Sequence, residues 1–142
     1  MLKYLFHEGS IDLPEGTRDD SVQIFTIPVP DVLPLSLTIR RQVRLPEIAL
    51  ADWASADLTE RGRRDSTFAL HWRRAHSFSG RSSVIAATSY DRGNETVGQR
   101  IVYVDNGRTC IILTISVPGE FQSTQLNMTN SVFGSLRLTD PE

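Results

Sequence analysis

A chain of 142 residues can bury the core of one domain, and we read it as a single domain over residues 1–142. Its composition, 39% hydrophobic and 23% charged, is ordinarily globular and argues against a disordered or fibrous chain. A formal net charge of −2 gives no electrostatic case for nucleic acid, and no stretch approaches the ~20 apolar residues of a membrane-spanning helix.

The bases are almost all arginine. Lys3 is the sole lysine beside 14 arginines, with Arg41, Arg44, Arg61, Arg63, Arg64, Arg73 and Arg74 in the middle of the chain. A solvated surface accounts for them; gathered in one patch, their planar forks would suit a carboxylate-bearing partner. Cys110 is the only cysteine, so no intramolecular disulfide forms, as expected of a reducing compartment. The apolar run Tyr4-Leu5-Phe6 stops at His7-Glu8, far short of an export leader, so a cytoplasmic location is expected.

In chain order, Tyr4–His7 and Ser10–Leu13 predict a hairpin around a Glu8-Gly9 turn, and Leu13-Pro14 ends it. Val22–Ile27 is a strand rich in β-branched and aromatic residues. The prolines of Pro28–Pro34 make a loop, and Leu35–Arg41 (LSLTIRR) then alternates cleanly. Leu45-Pro46-Glu47 opens a helix with Leu50, Trp53, Ala54 and Leu58 at helical spacing, ending near Glu60–Arg64 with Gly62 as a stop. Thr67–Trp72 and Ser83–Tyr90 are strands about a Ser79-Gly80-Arg81 turn. Val97–Asp105 and Arg108–Val117 form a hairpin at Asp105-Asn106-Gly107, since Asn-Gly tolerates positive φ. A second helix covers Phe121 to Phe133, and Leu136-Arg137-Leu138 closes the chain in extended form.

Strands first and last with helices between predict an α+β fold: an antiparallel sheet with two helices packed on one face. The opposite face would then be open as a binding surface. Alternation places Val22 with Ile24 on one side of their strand, Ser36 with Thr38 and Arg40 on another, and Gln99 with Ile101 and Tyr103 on a third. That mixture of apolar, hydroxyl and amide side chains fits neither a solvated surface nor a uniform core.

No residue pattern here reads as an enzyme. His7, His71 and His76 are scattered, and a five-residue spacing suits neither a helix face nor a strand face as a metal pair, so no metal or other cofactor is expected. Cys110 lies in the apolar run Thr109-Cys110-Ile111-Ile112-Leu113, a poor setting for a nucleophile. Asp19-Asp20 is a turn and solubility device, and phosphate-binding glycine loops are missing.

The order of the amino-terminal features, from Tyr4 through the Glu8-Gly9 turn, Leu13-Pro14, Asp19-Asp20 and "S-V-Q-I-F" at 21–25, resembles the opening of the Eag-type chaperones of bacterial type VI secretion. More loosely, "S-L-T-I-R-R", Ala51-Asp52-Trp53 and the late "Q-R-I-V-Y-V…C-I-I-L-T" follow in matching order. The resemblance implies a non-enzymatic, homodimeric α+β chaperone. Its partner would be the transmembrane-helix-containing, PAAR-adjacent amino-terminal region of a cognate effector, and indirectly the VgrG spike, without insertion into a membrane. It also implies client-binding roles for Val22 and Ile24 as apolar contacts and for Ser36 as a hydroxyl; Thr38, Gln99 and Ile101 complete the candidate site. Two positions depart from the family's pattern: Arg40 stands where a second serine is often found, and Ile101 where a glutamine is, with Gln99 two residues earlier on the same face. Asp57 falls where relatives can have an amide and is not counted. A second reading, an envelope-associated binding protein of the related DcrB-like fold, would carry a leader or a lipobox cysteine.

Overall fold

The structure, a computed structural model, describes residues 1–78 and 80–139. Strands β1 (Leu2–Phe6) and β2 (Gly9–Leu13) pair as a separate hairpin. The remaining strands are β3 (Gln23–Ile27), β4 (Leu35–Val43), β5 (Ala69–Phe78), β6 (Arg81–Arg92), β7 (Glu95–Asp105) and β8 (Thr109–Pro118). They build one antiparallel sheet in the order β3-β4-β8-β7-β6-β5, with helices α1 (Leu50–Arg64) and α2 (Ser123–Gly134). The α+β architecture is as expected. Ser79 of the anticipated 79–81 turn lies outside the described residues.

The helices, however, do not share a face. Ile101, Tyr103, Cys110 and Ile112 pack with Leu50, Ala54 and Leu58 of α1. Their neighbours Val102, Val104, Ile111 and Leu113 pack with Phe133 of α2, to which Met128 and Val132 add. Successive side chains of a strand point to opposite faces, so the two helices lie on opposite sides of the sheet. The reason is in β7 and β8. Both are apolar at odd and even positions alike, and a strand greasy on both faces needs a cover on each.

The start of the first helix and the β7–β8 turn also differ from expectation, whereas that helix ends within the expected Glu60–Arg64 stretch, though not at Gly62. The Leu45–Ile48 segment forms a turn (Ile48 N–H to Leu45 O, 3.1 Å) and not the first helical turn, because Arg44 Nη2 holds the Ile48 carbonyl at 2.9 Å. Helix α1 begins at Leu50 and runs through Gly62 to Arg64, where Arg61, Arg63 and Arg64 complement its negative end. In the β7–β8 turn, Asn106 N–H donates to Thr109 O at 3.0 Å, which puts Gly107-Arg108 at the tip; Gly107 takes φ +78° and Asn106 stays in the ordinary region. Arg44 Nη1 reaches Asp105 at 3.1 Å and so ties this turn to the segment leading into α1.

Helix α2 starts with a reciprocal cap in which Gln125 Oε1 accepts from Gln122 N–H at 2.8 Å. The amide nitrogen of the buried Gln125 then donates to Leu33 O at 3.0 Å, anchoring the proline loop. Gly98 allows another close approach: a Cβ there would stand 2.8 Å from the Gly119 carbonyl, so a side chain would force β7 and the segment after β8 apart. Leu136 and Leu138 extend past α2 without joining a strand and pack against the α2-side core.

Candidate functional site

Helix α1 covers only part of its side of the sheet, packing over β5, β6 and β7. The rest of that side, formed by β3, β4, the end of β8 and the start of β7, is an uncovered trough of about 690 Å³. Its composition follows from register. Residues directly opposite across a strand pair share a face, and here Thr26 opposes Ser36, Ser36 opposes Ser116, Ser116 opposes Gln99 and Gln99 opposes Thr88. Five polar side chains therefore form one row across five strands. In the next row Ile24 opposes Thr38, Thr38 opposes Thr114 and Thr114 opposes Ile101.

The polar row is internally bonded. Thr88 Oγ1 donates to Gln99 Oε1 at 3.2 Å, and Gln99 Nε2 donates to Ser116 Oγ at 3.2 Å. Gln99 is 8% exposed, so these bonds satisfy most of what burial demands of its amide. Ser116 accepts one bond and keeps its own O–H to donate. Ser36 is exposed and Thr38 half-buried on the same floor.

One wall of the trough is the stripe of α1 bearing Asp57, Arg61 and Arg64. Asp57 Oδ2 accepts from Tyr103 Oη at 2.6 Å and from Arg61 Nε at 2.9 Å, which pins the helix to β7. Burial, then the hydrogen bond to Asp57 and the charge behind it, hold the Tyr103 phenol well above its ordinary range, so it stays the donor.

Of the six candidate residues, five sit on or beside this trough. Ile24 (70% exposed), on edge strand β3, falls with Ser36, Thr38 and Gln99 on the α1 side of the sheet; Val22 (46% exposed) precedes the strand and lines the adjoining depression beside Arg40. Ile101 is 0% exposed and lies beneath α1, packed in the cluster of Ala54 and Leu58. Sequence reasoning missed Thr26, Thr88, Thr114 and Ser116. The i, i+2 spacing of Thr114 and Ser116 inside an otherwise apolar strand is the signal that could have found two of them.

Cys110 is fully buried, and burial pushes its thiol up to about 12, so it is protonated and shielded at neutral pH. Among the described residues no three metal-ligating side chains gather, and no helix is long and apolar enough to cross a membrane.

Comparison with known proteins agrees with the amino-terminal resemblance. The chain is similar to Effector EagT6 of Pseudomonas aeruginosa (strain PAO1), 23% identical over 117 residues that cover 82% of this chain and 81% of that protein. It shares its fold with a crystal structure of PA94 from Pseudomonas aeruginosa, a protein of unknown function called a putative regulator. That match has a TM-score of 0.78 over 100% of this chain and 99% of the other, at 20% identity. The DcrB family model matches residues 8–135, nearly the whole chain, and the protein thus belongs to the DcrB family.

Proposed function

We propose that this protein is a cytoplasmic chaperone that shelters the apolar amino-terminal transmembrane-helix region of a type VI secretion effector before the effector is loaded on the spike. The observation that carries this reading is the uncovered trough, hydroxyl- and amide-lined along its floor, with the exposed Ile24 opposite Thr38 on the adjoining edge strand. Similarity to Effector EagT6 over most of both chains supports the association with an effector.

The physics of such a role is coherent. A helix destined for a bilayer presents about 20 apolar residues to water, an aggregation hazard. Covering roughly 1,000 Å² of it gains on the order of 25 kcal/mol gross. Ordering and lost rigid-body freedom cancel much of that. Apolar contact alone would not discriminate among clients. Ser36, Thr38 and the free donor of Ser116 can add hydrogen bonds of the kind made between membrane helices, each about 0.6–2 kcal/mol. These bonds select more than they tighten.

Coexpression with the neighbouring effector's amino-terminal fragment tests the role. The fragment should be recovered soluble and bound to this protein. Equal insolubility with and without it would sink the reading.

A homodimer belongs to the same proposal. On the β1–β2 hairpin, Leu2, Tyr4 and Phe6 face the same way as Ile11 and Leu13. Leu2, Tyr4, Phe6 and Ile11 are 41–51% exposed. A lone two-stranded hairpin is marginal in water and is stabilised when its apolar face is covered. A second copy offers that cover, so light scattering should return twice the 15.9 kDa chain mass. A monomer, free and client-bound, would refute the dimer.

A further inference from the structure

We infer that the trough selects a client segment carrying a side-chain carboxylate, read by Arg40; this rests on the function proposed above. Four arginines, Arg40, Arg61, Arg64 and Arg92, line the trough against one carboxylate, Asp57, in a chain whose overall charge is −2. The local excess is therefore opposite in sign to the whole protein.

Two of the four are already engaged. Arg61 pairs with Asp57 at 2.9 Å, and Arg64 with Glu60 at 3.3 Å. Arg92 opposes Glu95 across the β6–β7 ladder, at the exposed end of both strands, without forming an ion pair. Arg40 differs from all three. It is half-buried on β4, two residues beyond Thr38 on the same face, and among the described residues no carboxylate pairs with it. It also borders a depression holding Asp19 and Asp20, but Asp19 accepts from Ser21 N–H at 2.9 Å and Asp20 pairs with Arg18 at 2.7 Å.

The guanidinium of this half-buried arginine, without a counter-charge, keeps its hydration only while the trough is open. An apolar helix laid over Thr38 would strip water from Arg40, which is unfavourable unless the helix brings an acceptor. A carboxylate meets that need with two parallel hydrogen bonds to the planar fork. The arginine thus penalises wholly apolar segments and favours one with an acidic residue at the matching turn, a preference by exclusion as much as by attraction.

The test uses the full chain and fluorescent host helices of about 20 Leu, Ala and Ser residues with solubilising lysines at one end. One Glu is placed at successive positions, and each peptide is compared with its Gln counterpart by anisotropy. At the best position the Glu peptide should bind about tenfold more tightly. The margin should shrink as salt rises. Arg40→Gln should erase it, and Arg40→Glu should reverse it toward a Lys peptide, with thermal melts confirming that both variants fold. Equal affinity for Glu and Gln peptides at every position overturns the inference and leaves the trough as a client site. A preference that survives Arg40→Gln overturns the role of Arg40. If no host helix binds at all, the trough reading fails and this inference with it.

Discussion

Changing Val22 and Ile24 together to aspartate should abolish capture of the effector's amino-terminal fragment while the free protein keeps its melting temperature. Both side chains are already in water, at 46% and 70% exposure, and they flank or lie on an edge strand, so their replacement removes no packing from either core. In the complex each would give up about 1.5–3 kcal/mol of apolar burial. A carboxylate facing an apolar helix adds an unpaired charge to that loss. The sum corresponds to at least about a hundredfold in affinity. Pull-down of the coexpressed fragment, with circular dichroism melts of the free variant, separates binding from folding. Undiminished capture by the double variant would remove these two residues from the site.

The second large effect concerns stability. Ile101 is fully buried between β7 and α1, opposite Ala86 on one neighbouring strand and Thr114 on the other. Truncation to alanine leaves a cavity in the cluster that holds Ala54 and Leu58, where the single methyl of Ala54 has no reach to fill it. Ile101→Ala should therefore cost about 2–5 kcal/mol of unfolding free energy, read as a lowered midpoint in urea. An exposed contact residue would change stability by no more than about 0.5 kcal/mol. A midpoint that barely moves would show that α1 does not press on this part of the sheet. Any effect of this variant on client capture should follow the loosening of α1, the helix that forms one wall of the trough.

Much of the fold is legible residue by residue. LSLTIRR announces β4 by alternation, and the Val97–Val117 hairpin stands out by its two apolar runs around Asn106-Gly107. The side of the sheet taken by each helix was misread, although a clue was present. Ile101-Val102-Tyr103-Val104 and Cys110-Ile111-Ile112-Leu113 are apolar at every position, which already calls for cover on both faces. The Leu45-Pro46-Glu47 start misled for a different reason. A proline followed by an acid is a sound helix opening, but Arg44 captures the Ile48 carbonyl, a contact supported from Asp105, 61 residues away.

The candidate site divides in the same way. Period-two alternation alone assigned Val22 with Ile24 and Ser36 with Thr38 to common faces, because those relations are local to one strand. It could not show that Thr26, Ser36, Ser116, Gln99 and Thr88 join into one polar row. That row depends on the register of strands separated by up to 80 residues of chain, such as β4 against β8. Nor could it decide that Ile101 is covered and Thr114 lines the trough, two residues that face each other on adjacent strands. Amino-acid order determined which side chains share a strand face, through backbone geometry. Only tertiary packing decided where α1 stops, and the edge of that helix separates a buried core from an open surface.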